Sequence, residues 1–112
     1  MGAYEYNPWS TAITEEFEIT DLECYPNPVR INEGRGALVI RYPGILEEDG
    51  YMLKIYNTKG QVVRVLGMSK GYSGISWDCC NYSGNIVGSG VYFIRLMKDD
   101  SYLAQRKITV VK

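Results

Sequence analysis

From Phe17 onward the chain is made of short runs in which apolar and polar residues alternate, each closed by a turn signal. A period of two belongs to strands, whose successive side chains point to opposite faces. Phe17, Ile19 and Leu22 open the first run, which stops at Pro26. In the second, 37–42, Leu38, Ile40 and Tyr42 share one face. The third, 51–56, turns Leu53 and Ile55 inward and Lys54 outward, and the fourth occupies 61–66. Between these two lies Asn57-Thr58-Lys59-Gly60, a four-residue hairpin loop whose glycine can take positive φ at strand re-entry. A fifth run, 74–77, is followed by a polar loop over 78–90. The sixth, 91–97, sets Tyr92, Ile94 and Leu96 against an outward Arg95. Asp99-Asp100-Ser101 turns the chain into a last strand, 102–111, where Ile108 and Val110 alternate with Lys107 and Thr109.

Seven such runs, each about 8–15 residues from the next and without a helical period, predict an all-β chain folded as an antiparallel β-sandwich. The predicted core is Leu38, Ile40, Tyr42, Leu53, Ile55, Trp77, Tyr92, Ile94, Leu96, Ile108 and Val110. Pro26, Pro28 and Pro43 fall at strand ends, where a missing N–H does least harm. Nothing repeats at the period of a solenoid.

At 112 residues the chain holds one domain. It has no histidine, which excludes His-based triads and His-ligated metal sites. A net charge of -1 gives no electrostatic reason to bind nucleic acid or an anionic membrane face. No run reaches the roughly 18 apolar residues of a membrane helix, so no membrane insertion is expected. Residues 1–10 carry neither the positive charge nor the apolar stretch of a signal peptide. The protein is therefore either cytosolic or a piece whose export signal lies upstream. Residues 7–16, opening on Asn7-Pro8, read as a linker. Charge is uneven: before Arg30 there are only acids (Glu5, Glu15, Glu16, Glu18, Asp21, Glu23), and after Leu103 only bases (Arg106, Lys107, Lys112). Such a pattern suits solvated faces or cross-strand pairing, or else a basic tip that a partner reads.

Chemistry-bearing clusters are sparse. Cys79 and Cys80 are adjacent and Cys24 is remote, so a thiolate zinc site lacks a ligand and the spacing; an exported chain could pair Cys24 with one of them, or all three stay reduced. Glu47-Glu48-Asp49 and Asp99-Asp100 could in principle serve glycoside hydrolysis, but turn chemistry accounts for them. Asp78, Asn81 and Asn85 could offer calcium oxygens or cap a turn, and their spacing is not that of an EF-hand. Gly34-Arg35-Gly36 and Gly88-Ser89-Gly90 precede no helix and so are not phosphate loops. Asn81-Tyr82-Ser83 matches a glycosylation triplet, an uninformative pattern here. Tyr4, Tyr6, Tyr56, Tyr72 and Tyr82 remain as surface aromatics able to stack on sugars, so a carbohydrate-binding module stays open. No catalytic residue, cofactor or metal is expected.

The order of motifs carries more than any one of them. It runs Tyr25-Pro26-Asn27-Pro28; Ile40-Arg41-Tyr42; Leu53-Lys54-Ile55-Tyr56-Asn57-Thr58-Lys59-Gly60; Val62-Val63-Arg64-Val65-Leu66; Trp77-Asp78; Gly84-Asn85-Ile86-Val87; Gly90-Val91-Tyr92-Phe93-Ile94-Arg95-Leu96; and Lys107-Ile108-Thr109-Val110-Val111-Lys112. Over about residues 22–112 this series resembles the C-terminal sorting domain of the type IX secretion system. It is also similar to the Ig-like domain of flagellar-hook-capping proteins. The family often has Trp-Asp-Gly where this chain has Trp77-Asp78-Cys79, which puts the loop geometry in question but not the strands. Gly2-Ala3-Tyr4-Glu5-Tyr6 resembles the close of a parallel β-helix surface domain. Residues 1–6 are thus expected to end an upstream domain, and 17–112 to form the Ig-like domain.

The resemblance implies an Ig-like β-sandwich of about seven strands without catalytic activity, from a Gram-negative bacterium. It implies an address that sends a covalently continuous upstream cargo through the periplasm to the outer-membrane secretion machinery, and so to the cell surface or the medium. By motif, the residues implied in recognition are Tyr25, Pro26, Asn27 and Pro28; Gly90, Val91, Tyr92, Ile94, Arg95 and Leu96; and Lys107, Ile108, Val110, Val111 and Lys112. A strand edge there would offer unpaired N–H and C=O groups for β-augmentation. A structural Ig-like module of a surface or hook-cap-like protein is the alternative.

Overall fold

The alternating runs form eight strands: β1 (Glu23–Tyr25), β2 (Val29–Arg30), β3 (Leu38–Arg41), β4 (Tyr51–Tyr56), β5 (Val62–Met68), β6 (Gly74–Trp77), β7 (Gly90–Lys98) and β8 (Ser101–Val111). This computed structural model describes residues 22–42, 49–71 and 73–112. The expected linker, the run at Phe17 and Ile19, Glu47, Glu48 and Tyr72 lie outside them. A three-stranded sheet has the order β1-β3-β6 and a five-stranded sheet the order β2-β8-β7-β4-β5. The fold is an all-β, Ig-like sandwich.

One strand escaped the sequence reading. β2 is two residues long, too short to show a period, and it pairs with β8 in parallel (Val29↔Val110, Arg30↔Val111). The other strand pairs are antiparallel.

The inward residues of the two sheets meet as the alternation predicts. Leu38, Ile40 and Trp77 of the smaller sheet are buried with Leu53, Ile55, Ile94, Leu96, Ile108 and Val110 of the larger one. Each such side chain contributes roughly 1.5–3 kcal/mol, which makes this layer the main source of stability. Tyr42 lies at the margin, half-buried, rather than within it. Leu22, Val29, Met68, Cys79, Val87 and Ala104 join the core unforeseen. Cys79 and Val87 do so because the loop after β6 folds back under the sandwich, where the Val87 N–H donates to the Cys79 carbonyl at 2.9 Å.

Two polar tips inside this layer are satisfied, as buried polar groups must be. The Trp77 indole N–H donates to the Cys80 carbonyl at 3.0 Å and the Tyr92 hydroxyl to the Gly88 carbonyl at 2.8 Å. The two rings meet edge to face, 6.2 Å apart. The β4–β5 hairpin turns as expected: Asn57 Oδ1 accepts the N–H groups of Lys59 and Gln61, and Gly60 has φ +81°.

Candidate recognition surface

Residues 25–28 form the joint at which the chain leaves one sheet for the other. β1 pairs with β3, whereas β2, three residues later, pairs with β8. Pro26 and Pro28 have no N–H to continue a ladder, and both follow cis peptide bonds. Between them the Asn27 side chain does what a backbone amide would do in a strand. Its Nδ2 donates to the Lys107 carbonyl at 3.2 Å, and its Oδ1 accepts the Thr109 N–H at 3.1 Å. The Ile31 N–H then donates to the Val111 carbonyl at 2.8 Å. The outer edge of β8 from Lys107 to Val111 is thereby covered, although the sequence reading expected an open edge there.

Further back along β8 the edge differs. Outward groups alternate along a strand. Since Lys107 C=O and Thr109 N–H face outward, so do the N–H and C=O of Gln105. Among the described residues no strand pairs with β8 on that side before Val110, and no other backbone bond reaches Gln105 there.

The outward face beside this stretch is built by cross-strand register. Lys54 stands opposite Arg95, and Arg95 opposite Gln105; Tyr56 stands opposite Phe93, and Phe93 opposite Lys107. The Arg95 guanidinium lies 5.1 Å from the Tyr56 ring centre and 5.2 Å from that of Tyr102. Its Nε donates to Gln105 Oε1 at 2.6 Å. Beside it a concavity of about 270 Å³ is lined by Tyr56, Asn57, Thr58, Gly60, Phe93, Arg95 and Gln105.

The loop after β6 uses its polar atoms internally. Asp78 Oδ1 accepts the Cys80 N–H at 3.0 Å and the Arg64 guanidinium at 2.9 Å; Asn81 Oδ1 accepts the N–H groups of Ser83 and Asn85. These are turn bonds, and they occupy two of the oxygens weighed as calcium ligands. Burial is the largest single influence on Asp78 and raises its pKa, but the bonds from Cys80 and Arg64, with the Arg64 charge, together outweigh it and hold the carboxyl below its ordinary value. Cys79 sits at φ +64°, a left-handed conformation that favours glycine, at the position where the resembled motif has glycine. All three cysteines are free thiols. Burial pushes Cys24 up to about 11 against a smaller downward pull from Arg106. Burial, with Asp78 and Cys80 adding to it, pushes Cys79 up to about 11. Thiols so raised are poor nucleophiles at neutral pH.

A family model described as the secretion system C-terminal sorting domain matches residues 23–111. The chain belongs to that family. A sorting domain of this kind marks a protein for secretion to the cell surface or exterior.

Solved structures agree on the fold of the sorting domain. It superposes on a part of PorZ, an essential bacterial surface component of the type IX secretion system of Porphyromonas gingivalis, with TM-score 0.60 and 22% identity. It superposes on a part of dimeric latent PorU from the same organism with TM-score 0.63 and 25% identity. In each case 81% of this chain is covered, but only 11% of PorZ and 9% of PorU. The chain thus spans about a tenth of the length of these relatives. FLGD from P. aeruginosa overlaps more loosely, with TM-score 0.45 and 15% identity over 82% of this chain and 72% of that one. A search of curated protein sequences gives no match.

The residues implied in recognition fall into three groups on the sorting domain. Tyr25, Pro26, Asn27, Pro28, Lys107 and Lys112 are exposed. Gly90, Val91, Arg95 and Val111 are half-buried. Tyr92, Ile94, Leu96, Ile108 and Val110 are buried in the core, where a side chain shapes its strand and cannot touch a partner while the domain stays folded. The motif at 25–28 and the last strand, 80 residues apart, meet directly through Asn27. Gln105 and Tyr102, which flank Arg95, were missed. Tyr102 lies beyond the register shift between Leu96 and Met97, which breaks the alternation there, and Gln105 is in register but is marked only by its place on an edge. Of the aromatics expected at the surface, Tyr82 is exposed and Tyr56 is held under Arg95; Tyr25 and Tyr102 are further exposed rings.

Proposed function

We propose that this sorting domain is a non-catalytic export address, read in its folded state by the outer-membrane secretion machinery and joined to an upstream cargo that travels through the periplasm. The observation that carries the reading is the family match over residues 23–111. Its contact residues are the exposed members of the motif set, namely Tyr25, Pro26, Asn27, Pro28, Lys107 and Lys112, with Arg95 and Val91 on the adjoining face. Receptor contact includes the outward groups of β8 around Gln105, which a partner strand can extend.

The buried members, Tyr92, Ile94, Leu96, Ile108 and Val110, keep β7 and β8 in place and act on recognition only through the fold. Residues 1–6 are proposed to end the cargo domain, and 7–16 to link it to the sandwich.

The test joins the 112-residue chain to the C-terminus of a periplasm-directed reporter in a bacterium with type IX machinery. Surface reporter in that host, and periplasmic reporter in a strain lacking the machinery, support the reading. Deleting residues 107–112 should also leave the reporter in the periplasm. Equal surface delivery in both strains would overturn it.

A further inference from the structure

We propose that the outward face of β7 and β8 holds a carboxylate-reading pocket centred on Arg95, and that its occupant is an acidic side chain of an extended peptide lying along the edge of β8. This deepens the export reading and rests on it, by naming the chemistry its partner carries.

The first observation is charge. The five strands of the larger sheet contain no Asp or Glu, and Lys54, Arg95 and Lys107 all face outward from it. Lys54 and Arg95 stand directly opposite each other on neighbouring strands. Like charges so placed destabilise a sheet, and an anion bound between them relieves the repulsion. Among the described residues no carboxylate pairs with Arg95.

The second observation is preorganisation. Two tyrosine rings hold the guanidinium and Gln105 fixes its Nε, leaving the terminal nitrogens to present a planar fork. A planar fork suits a carboxylate, bound through two parallel N–H···O bonds. The concavity beside it has room for a side chain.

The third observation selects a peptide. Gln105 lines the pocket and also belongs to the stretch of β8 whose backbone groups face out of the sheet. A strand paired there sets the residue opposite Gln105 on the same face, with Cβ atoms about 5 Å apart. A glutamate from that position reaches past Gln105 to Arg95. Its neighbour two residues along lies over Lys107, so the favoured peptide carries acids at alternate positions.

The test titrates the full 112-residue chain, labelled for amide NMR, with a nine-residue peptide alternating Glu with Thr and Val. Its Gln-for-Glu counterpart and free galacturonate are the controls. The acidic peptide should shift amides around Gln105 and Arg95, tenfold or more tighter than its Gln counterpart, and weaken with added salt. Arg95→Gln should remove that preference. Arg95→Lys should restore only part of it, with urea midpoints showing that both variants fold. Equal affinity for the two peptides, full affinity in Arg95→Gln, no binding, or galacturonate binding without peptide binding would overturn the proposal. Peptide binding that emerges only after Glu15, Glu16 and Glu18 are changed to Gln would also overturn it, by naming the chain's own segment as occupant. Surface delivery of the reporter fusion separates the two readings. Delivery that needs the machinery, with no acidic preference at Arg95, removes the pocket and leaves the export address. Peptide binding at Arg95 with delivery independent of the machinery removes the export address.

Discussion

Asn27 and Thr109, 82 residues apart, are joined by a hydrogen bond in which the Asn27 side-chain oxygen accepts the Thr109 N–H at 3.1 Å, while its amide donates to the neighbouring Lys107 carbonyl. One side chain thus stands in for a peptide unit on the edge of β8. Asn27→Ala removes both bonds at a solvent-exposed position and should cost about 1–2 kcal/mol, near the lower end for two bonds that water can replace. Asn27→Asp keeps the acceptor, loses the donor, and should fall between. Urea denaturation reads this as a lower midpoint at unchanged slope.

Cys79 offers a sharper comparison. It is buried at φ +64°, so its side chain packs well while its backbone is strained. Cys79→Ala loses the sulfur contacts and keeps the strain, for a cost of about 1–2 kcal/mol. Cys79→Gly releases the strain and should be no less stable than Cys79→Ala. Thermal midpoints of the two variants decide it.

Core truncation sets the scale. Ile94 is fully buried, paired with Ile55 across β4 and β7. Ile94→Ala should cost about 2–5 kcal/mol, and Ile94→Val about 0.5–1.5. By contrast Arg64→Gln, which breaks an ion pair whose carboxylate is largely exposed and a bond to the Cys80 carbonyl, should cost about 1–2 kcal/mol at neutral pH.

Stability should also fall at alkaline pH. Cys24 and Cys79 are raised from 9.0 to about 11 in the folded chain, chiefly by burial. The unfolded chain therefore releases their protons first. Their contribution is complete below pH 9 and is lost as pH rises toward 11. Urea midpoints across that range should decline less steeply in Cys24→Ala than in the parent chain.

The layered fold was legible because period-two runs are long in β4, β5, β7 and β8, and ten of the eleven expected core residues are buried. β2 was not legible, since two residues cannot show a period and its place depends on the joint before it. The meeting of Asn27 with β8 was equally hidden, for no local pattern encodes a contact across 80 residues. The Arg95 pocket was half legible. Alternation turns Arg95 outward, but Tyr102 lies beyond a register shift, and Gln105 matters for its position on an edge.

The most direct measurement uses the domain folded but with its edge blocked. The Gln105 N–H faces outward, so Gln105→Pro removes an edge donor without breaking a backbone bond to β7, and Gln105→Ala serves as the control for the lost side-chain bond to Arg95. The urea midpoint establishes that the variant folds, and the reporter fusion then measures export. The account predicts periplasmic retention of the Gln105→Pro fusion and surface delivery of the parent. Undiminished surface delivery by the folded Gln105→Pro fusion would contradict it.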